Sequence, residues 1–135
     1  MDSDSGIFKK MRVKDGMTMK ALYSPPDYPK YNNAQDDKYD FVHLFVTSQK
    51  EFAERFATAA DIVNTAGLFW LSYPKSAGKQ KYDINRDSLW DLVLARGWHP
   101  VGQVALDDTW SAVRLKPNEP GIAYSRPANM KGGKN

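Results

Sequence analysis

YDFVHLFVTSQKEFAERFATAADIVNTAGLFWLSYPK, Tyr39 to Lys75, changes its period twice. From Tyr39 to Thr47 the chain is almost continuously apolar, which is the pattern of a strand covered on both faces rather than one that alternates between core and water. Ser48-Gln49-Lys50-Glu51 then has the spacing of a capping box, with Ser48 placed to accept from the Glu51 amide while Glu51 reaches back. Phe52, Phe56, Ala59 and Val63 fall on one helical stripe, so a helix is expected that stops near Gly67. Leu68 to Tyr73 is apolar again and reads as another strand. A strand, a helix and a strand in this order close as a right-handed crossover, which lays the two strands parallel.

Upstream, Thr18 to Ser24 is a short apolar run between Gly16 and Pro25, read as a first strand entered from an amphipathic segment around Ile7, Phe8 and Met11. Downstream, a second helix is expected to begin near Asn85 or Asp87, to carry Leu89, Trp90, Val93 and Leu94 inward, and to end at Gly97. His99–Asp107 and Thr109–Pro117 read as two strands joined by a tight Asp107-Asp108 turn. The fold expected is therefore α/β: a small three-layer sandwich with a mostly parallel sheet of about five strands and an antiparallel C-terminal hairpin strand at or near one edge. One domain should span residues 1–116, with 117–135 a flexible basic tail rich in proline and glycine.

Composition narrows the function classes. The chain has 135 residues, of which 41% are hydrophobic and 13% aromatic, enough for one real core. There is no cysteine, so disulfides, zinc-thiolate sites and thiol nucleophiles are excluded, and a reducing, cytoplasmic setting is expected. No apolar run approaches the roughly 20 residues of a membrane-spanning helix. The net charge of +3 lies in the tail, where Lys116, Arg126, Lys131 and Lys134 face only Glu119; the rest of the chain is balanced. A few basic residues on a chain end argue for solubility rather than for nucleic acid as a partner.

The segment after the third expected strand, Tyr73 to Asp83, sits where a phosphate loop would. The required pattern is G-x-x-x-x-G-K-[ST], and Gly78-Lys79 supplies its centre. Tyr73 stands at the first glycine position and Gln80 at the hydroxyl position, so the motif fails at both. The turn after the first strand, Ser24 to Pro29, also lacks the glycines that admit a pyrophosphate to the backbone.

Tyr73-Pro74-Lys75 and Asp107-Asp108-Thr109-Trp110-Ser111-Ala112-Val113-Arg114, with the flanking Lys14–Pro26 and Tyr39–Ser48, resemble a small bacterial family of uncharacterised proteins over about Ile7 to Pro117. That resemblance implies the fold and its boundaries and supplies no catalytic residue. The order of elements is also similar to a shortened class I methyltransferase-like, Rossmann-like core. Such a core carries glycines after its first strand, where this chain has Ser24-Pro25-Pro26, so no S-adenosylmethionine pocket and no cofactor are expected.

Ligands of open parallel sheets bind outside the carboxyl ends of the strands. That edge should gather Ser24, Ser48, Tyr73 and Lys75, and the reversed last strand should bring Asp107, Asp108 and Trp110 to it. A cation, carboxylates, a hydroxyl and an aromatic wall would suit a small polar or anionic ligand. Each has a plain structural alternative: Lys75 paired with Asp108, Trp110 in the core, His43 a satisfied core histidine, Arg114 ion-paired on an edge strand, Trp70 and Trp90 as packing. The leading expectation is a non-catalytic binding or interaction module for a small polar ligand or a protein partner, monomeric or a weak homodimer, with no metal site. The alternative is an unrecognised enzyme using Lys75 and Asp107 or Asp108, including a remote methyltransferase-like activity.

Overall fold

A computed structural model describes residues 9–14, 16–24, 38–75, 82–106, 108–122 and 124. The elements run β1 (Met19–Leu22), β2 (Tyr39–Phe45), α1 (Gln49–Asp61), β3 (Val63–Pro74), α2 (Arg86–Leu94), β4 (Trp98–Ala105) and β5 (Trp110–Pro117). They form one mixed α/β unit around a five-stranded sheet of order β1-β2-β3-β5-β4. β1, β2 and β3 pair in parallel, whereas β5 is antiparallel to both β3 and β4. The reversed strand thus lies one position inside the edge, which β4 occupies.

Helix α1 is shorter than its apolar stripe suggested. It ends at Asp61, with Ile62 as C-cap, and Val63 already belongs to β3. Tyr39 pairs with Val63 and Phe41 with Leu68, so Asn64–Gly67 is looped out opposite Asp40. The backbones pass closely there. A Cβ at Gly67 would lie 2.9 Å from the Asp40 carbonyl oxygen and 3.2 Å from that of Tyr39, which only glycine avoids.

Both described helices cover the same face. Phe52, Phe56 and Ala59 of α1 and Leu89 and Val93 of α2 are buried against Val42, Leu44, Phe69, Leu71, Val113 and Leu115. The side chains of β2, β3 and β5 alternate between faces, as strands require. On the second face Phe41, Phe45, Leu68, Trp70, Leu106 and Ala112 bury against Met11, with Val13, Met17 and Met19 packed alongside. Among the described residues, the second layer over the sheet is therefore the chain entering β1, tied down by the Trp70 indole, which donates to the Met11 carbonyl at 3.0 Å. A helix layer on each face, as three layers would need, is not what these residues form.

α2 begins as expected, with Asn85 as N-cap and Ser88 completing a capping box. Its inward set is Leu89 and Val93, while Trp90 and Leu94 are only half-buried. Arg114 does not sit on an edge: β5 is an interior strand, and among the described residues Arg114 makes no ion pair. Its Nε is buried without a hydrogen-bond partner, and burial together with nearby Arg12 makes the guanidinium easier to deprotonate than usual. Beyond β5, the Asn118 amide donates to the Gly97 carbonyl at 2.8 Å, and the Tyr124 ring stacks on His99 with centroids 4.0 Å apart.

Candidate functional site

The ends of three parallel strands and the start of β5 meet at one edge. Leu22 of β1 pairs with Leu44, the Val46 amide donates to the Ser72 carbonyl at 3.0 Å, and Pro74 pairs with Trp110. The Lys75 amide donates to the Thr109 carbonyl at 2.8 Å, and the Leu106 amide to the Trp110 carbonyl at 3.0 Å, closing the hairpin beside β3. Lys75 and Trp110 are half-buried, and Asp108 and Thr109 are exposed. The Trp110 ring meets Phe45 edge-on at 5.2 Å, so it leans on the second-face core while opening the edge with its own strand. Asp107 lies outside the described residues, as do Lys79 and Lys81 of the lysine loop and the two prolines after Ser24.

Ser48 serves as the N-cap of α1, its hydroxyl accepting from the Glu51 amide at 3.1 Å. Glu51 reaches back one residue further than a capping box requires. Its carboxylate accepts from the Thr47 amide at 2.7 Å and the Thr47 hydroxyl at 2.8 Å, and pairs with Arg55 at 3.2 Å. Burial pushes the Glu51 carboxyl up, but the Thr47 amide, the Thr47 hydroxyl and Arg55 outweigh it and leave it below the usual value. Arg55 also donates to the Phe45 carbonyl at 3.2 Å and lies 3.9 Å over the ring of Tyr23. Tyr23, exposed and at φ 63°, holds a left-handed conformation rare for a bulky residue. This Thr47-Glu51-Arg55-Tyr23 chain welds the ends of β1 and β2 to α1. Its sequence signal was the Glu51/Arg55 spacing of four, which on a helix puts the two charges side by side.

The remaining N-terminal amides of α1 are partly spoken for. The Gln49 amide donates to the Asp83 carboxylate at 3.0 Å, and the Gln49 side-chain amide donates to the Asp83 carbonyl at 2.6 Å, tying the segment before α2 to the same edge.

Tyr73 departs from the group its position suggested. Its side chain is buried on the helix-covered face, where its hydroxyl accepts from Gln103 at 3.1 Å. Burial raises the phenol's pKa, opposed by nearby Arg86 and the Gln103 hydrogen bond. His43 sits inside the second face with no exposed surface, within 2.6 Å of the Ser72 hydroxyl and stacked on Phe45 at 4.1 Å. Burial pushes its pKa down to about 3, so it is neutral at pH 7 and sealed from any substrate. Among the described residues no cluster of histidine and acidic side chains could hold a metal ion, and no helix is long and apolar enough to cross a membrane.

No family model matches this chain, and no curated protein does. Among solved structures it is similar to one described as the DhpI-SAH complex structure, at 12% identity and a TM-score of 0.43, over 62% of this chain. The chain spans 50% of that structure's length.

Proposed function

We propose that this chain is a binding module that holds a small polar or anionic ligand at the carboxyl edge of its sheet, without catalysing a reaction. The observation that supports this reading is the meeting of the β3 end with the β5 start, through the 2.8 Å bond from Lys75 to Thr109. Strand order brings Lys75, the exposed Asp108 and Trp110 to the sheet edge at which α1 starts from its Ser48 cap, although these residues come from separate parts of the chain. Lys75 supplies the cation, Trp110 an apolar wall, and Ser24, Ser48, Asp107 and Asp108 the polar rim; Tyr73 buttresses the edge from within. Lysine is a compact charge on a flexible stem and suits an anion approached from solvent. The absence of cysteine fits a cytoplasmic setting.

A second reading, an enzyme that uses Lys75 with Asp107 or Asp108 and extends to a remote methyltransferase-like activity, is favoured by one observation. The antiparallel β5 lies beside three parallel strands, the strand arrangement that suggested such a core. Fold analogy is a weak guide to chemistry, and the Ser24-Pro25-Pro26 turn lacks glycine.

Thermal-shift screening with AMP, pyrophosphate, phosphorylated sugars and S-adenosylmethionine separates the readings, because any ligand that binds only the folded state raises its melting temperature. The module predicts a shift with an anion that Lys75→Met abolishes, and none with S-adenosylmethionine. Micromolar binding of S-adenosylmethionine would favour the enzyme. Anion binding that survives Lys75→Met would remove the proposed site.

A further inference from the structure

A cavity of about 320 Å³ lies between α2 and the β4-β5 hairpin. Its origin is local. β4 carries a proline at Pro100 and a register shift between Pro100 and Gly102, leaving Val101 as the extra residue of a bulge, 44% exposed. Past the bulge, Gly102 is paired with Arg114 and faces the other side of the sheet, so Gln103, paired with Val113, is the next residue to turn its side chain toward the helix-covered face. The helix therefore rests on Leu89 and Val93 and leaves a slot beside them.

The slot has two ends of different chemistry. Leu89, Trp90, Pro100, Val101 and Val113 make an apolar wall. Arg86 and Gln103 make the polar end, where the Gln103 side-chain amide already donates to the Tyr73 hydroxyl at 3.1 Å and the Arg86 charge is felt by the same phenol. Asp87 also acts on Tyr73 but does not line the cavity. Arg86 is exposed and makes no ion pair among the described residues. Guanidinium and amide N–H groups at one end of an apolar slot are donors awaiting an anion, and the fork of an arginine matches a carboxylate. The Trp90 indole nitrogen, in the same wall, is buried with no hydrogen-bond partner, so an acceptor supplied from the cavity would satisfy it.

We infer that the cavity between α2 and the β4-β5 hairpin is a second binding site, for a flat molecule of one or two rings bearing a carboxylate or sulfonate, with the rings against Trp90 and Val101 and the anion at Arg86 and Gln103. The volume is at the small end of the range for ligand pockets, about 300 to 1,000 Å³, which excludes larger molecules such as dinucleotides. Its lining includes none of Ser48, Lys75, Asp108 and Trp110.

The test uses the full chain and two fluorescent probes, 1-anilinonaphthalene-8-sulfonate and its neutral analogue N-phenyl-1-naphthylamine, titrated while energy transfer from tryptophan is followed. The native chain should bind both saturably. Val113→Trp, which enlarges a cavity-lining side chain on the helix-covered face, should abolish both. Arg86→Gln should weaken the sulfonate by about tenfold or more, the value of a charged hydrogen bond, and leave the neutral probe unchanged. Circular dichroism of each variant establishes that it is folded. Should Val113→Trp fail to fold, the contrast between the two probes in Arg86→Gln still decides. Non-saturable binding to the native chain, equal weakening of both probes in Arg86→Gln, or undiminished binding in a folded Val113→Trp would overturn the inference.

Discussion

The two faces of the sheet bury similar sets of aromatic and aliphatic side chains and treat polar groups in opposite ways. On the helix-covered face, α1 and α2 lay Phe52, Phe56, Leu89 and Val93 on strand residues that are all apolar until Tyr73, whose hydroxyl is satisfied by Gln103. On the second face, His43 and Ser72 are fully buried together and Arg114 keeps an unpaired Nε, under a cover anchored by the Trp70-Met11 hydrogen bond. The helix face owes its stability to close packing, which is lost by making a cavity. The second face depends on hydrogen bonds and protonation, so it responds to pH.

That contrast breaks most visibly under truncation of Phe56, whose ring centroid is 4.7 Å from Phe52 and 5.4 Å from Phe69 and which is only 2% exposed. Phe56→Ala should cost about 3 to 5 kcal/mol in urea denaturation, the usual range for a buried phenylalanine. A cost below about 1 kcal/mol would show that α1 is not a core element.

The second face should answer to acid. His43 is neutral in the fold with its pKa pushed down to about 3, while in the unfolded chain it titrates near its ordinary value of about 6.5. Between those values the unfolded chain binds the extra proton, so stability falls as the pH falls, by roughly 1 kcal/mol per pH unit from this group alone. Urea midpoints measured between pH 7 and pH 4 should show that slope, and His43→Gln should flatten it. An equal slope in the variant would place the acid sensitivity elsewhere.

The Asn64–Gly67 excursion within β3 gives a smaller effect. Gly67→Ala forces a methyl against three backbone carbonyl oxygens and should cost about 1 to 3 kcal/mol, the range for overpacking. Gly102→Ala, with nothing within 4 Å, should stay within about 0.5 kcal/mol of the native chain. Equal melting temperatures for the two variants would mean that the Asn64–Gly67 excursion yields freely.

Much of the helix face was legible in the sequence because periodicity reports burial directly: the stripe of Phe52, Phe56 and Ala59 and the Ser48 cap read correctly, and Asn85 was one of the two starts expected for α2. The end of α1 was not, since Val63 continues the helical spacing and only its pairing with Tyr39 assigns it to β3. Such pairing is a tertiary preference that overrides local pattern. At the candidate edge, strand order was enough to expect Ser48 after β2, Lys75 after β3 and Trp110 at the start of β5. It could not show that Tyr73 turns inward, nor that Tyr23 and Arg55 stack there, because alternation of faces depends on register. The cavity beside α2 has no signal in the sequence. It arises where the bulged β4 meets a helix.

Lys75 should have a small effect on folding and the largest on binding. Lys75→Met keeps most of the stem and removes the charge, so the melting temperature should change little, by the equivalent of less than about 1 kcal/mol. The most direct test of the account is therefore an amide-resolved NMR titration of the native chain and Lys75→Met with AMP and with pyrophosphate. For at least one of the two, the account predicts saturable shifts centred on Ser48, Lys75, Thr109 and the Trp110 indole in the native chain and none in the variant. It would be contradicted if those signals stay still with both anions, or if they move equally in the two proteins.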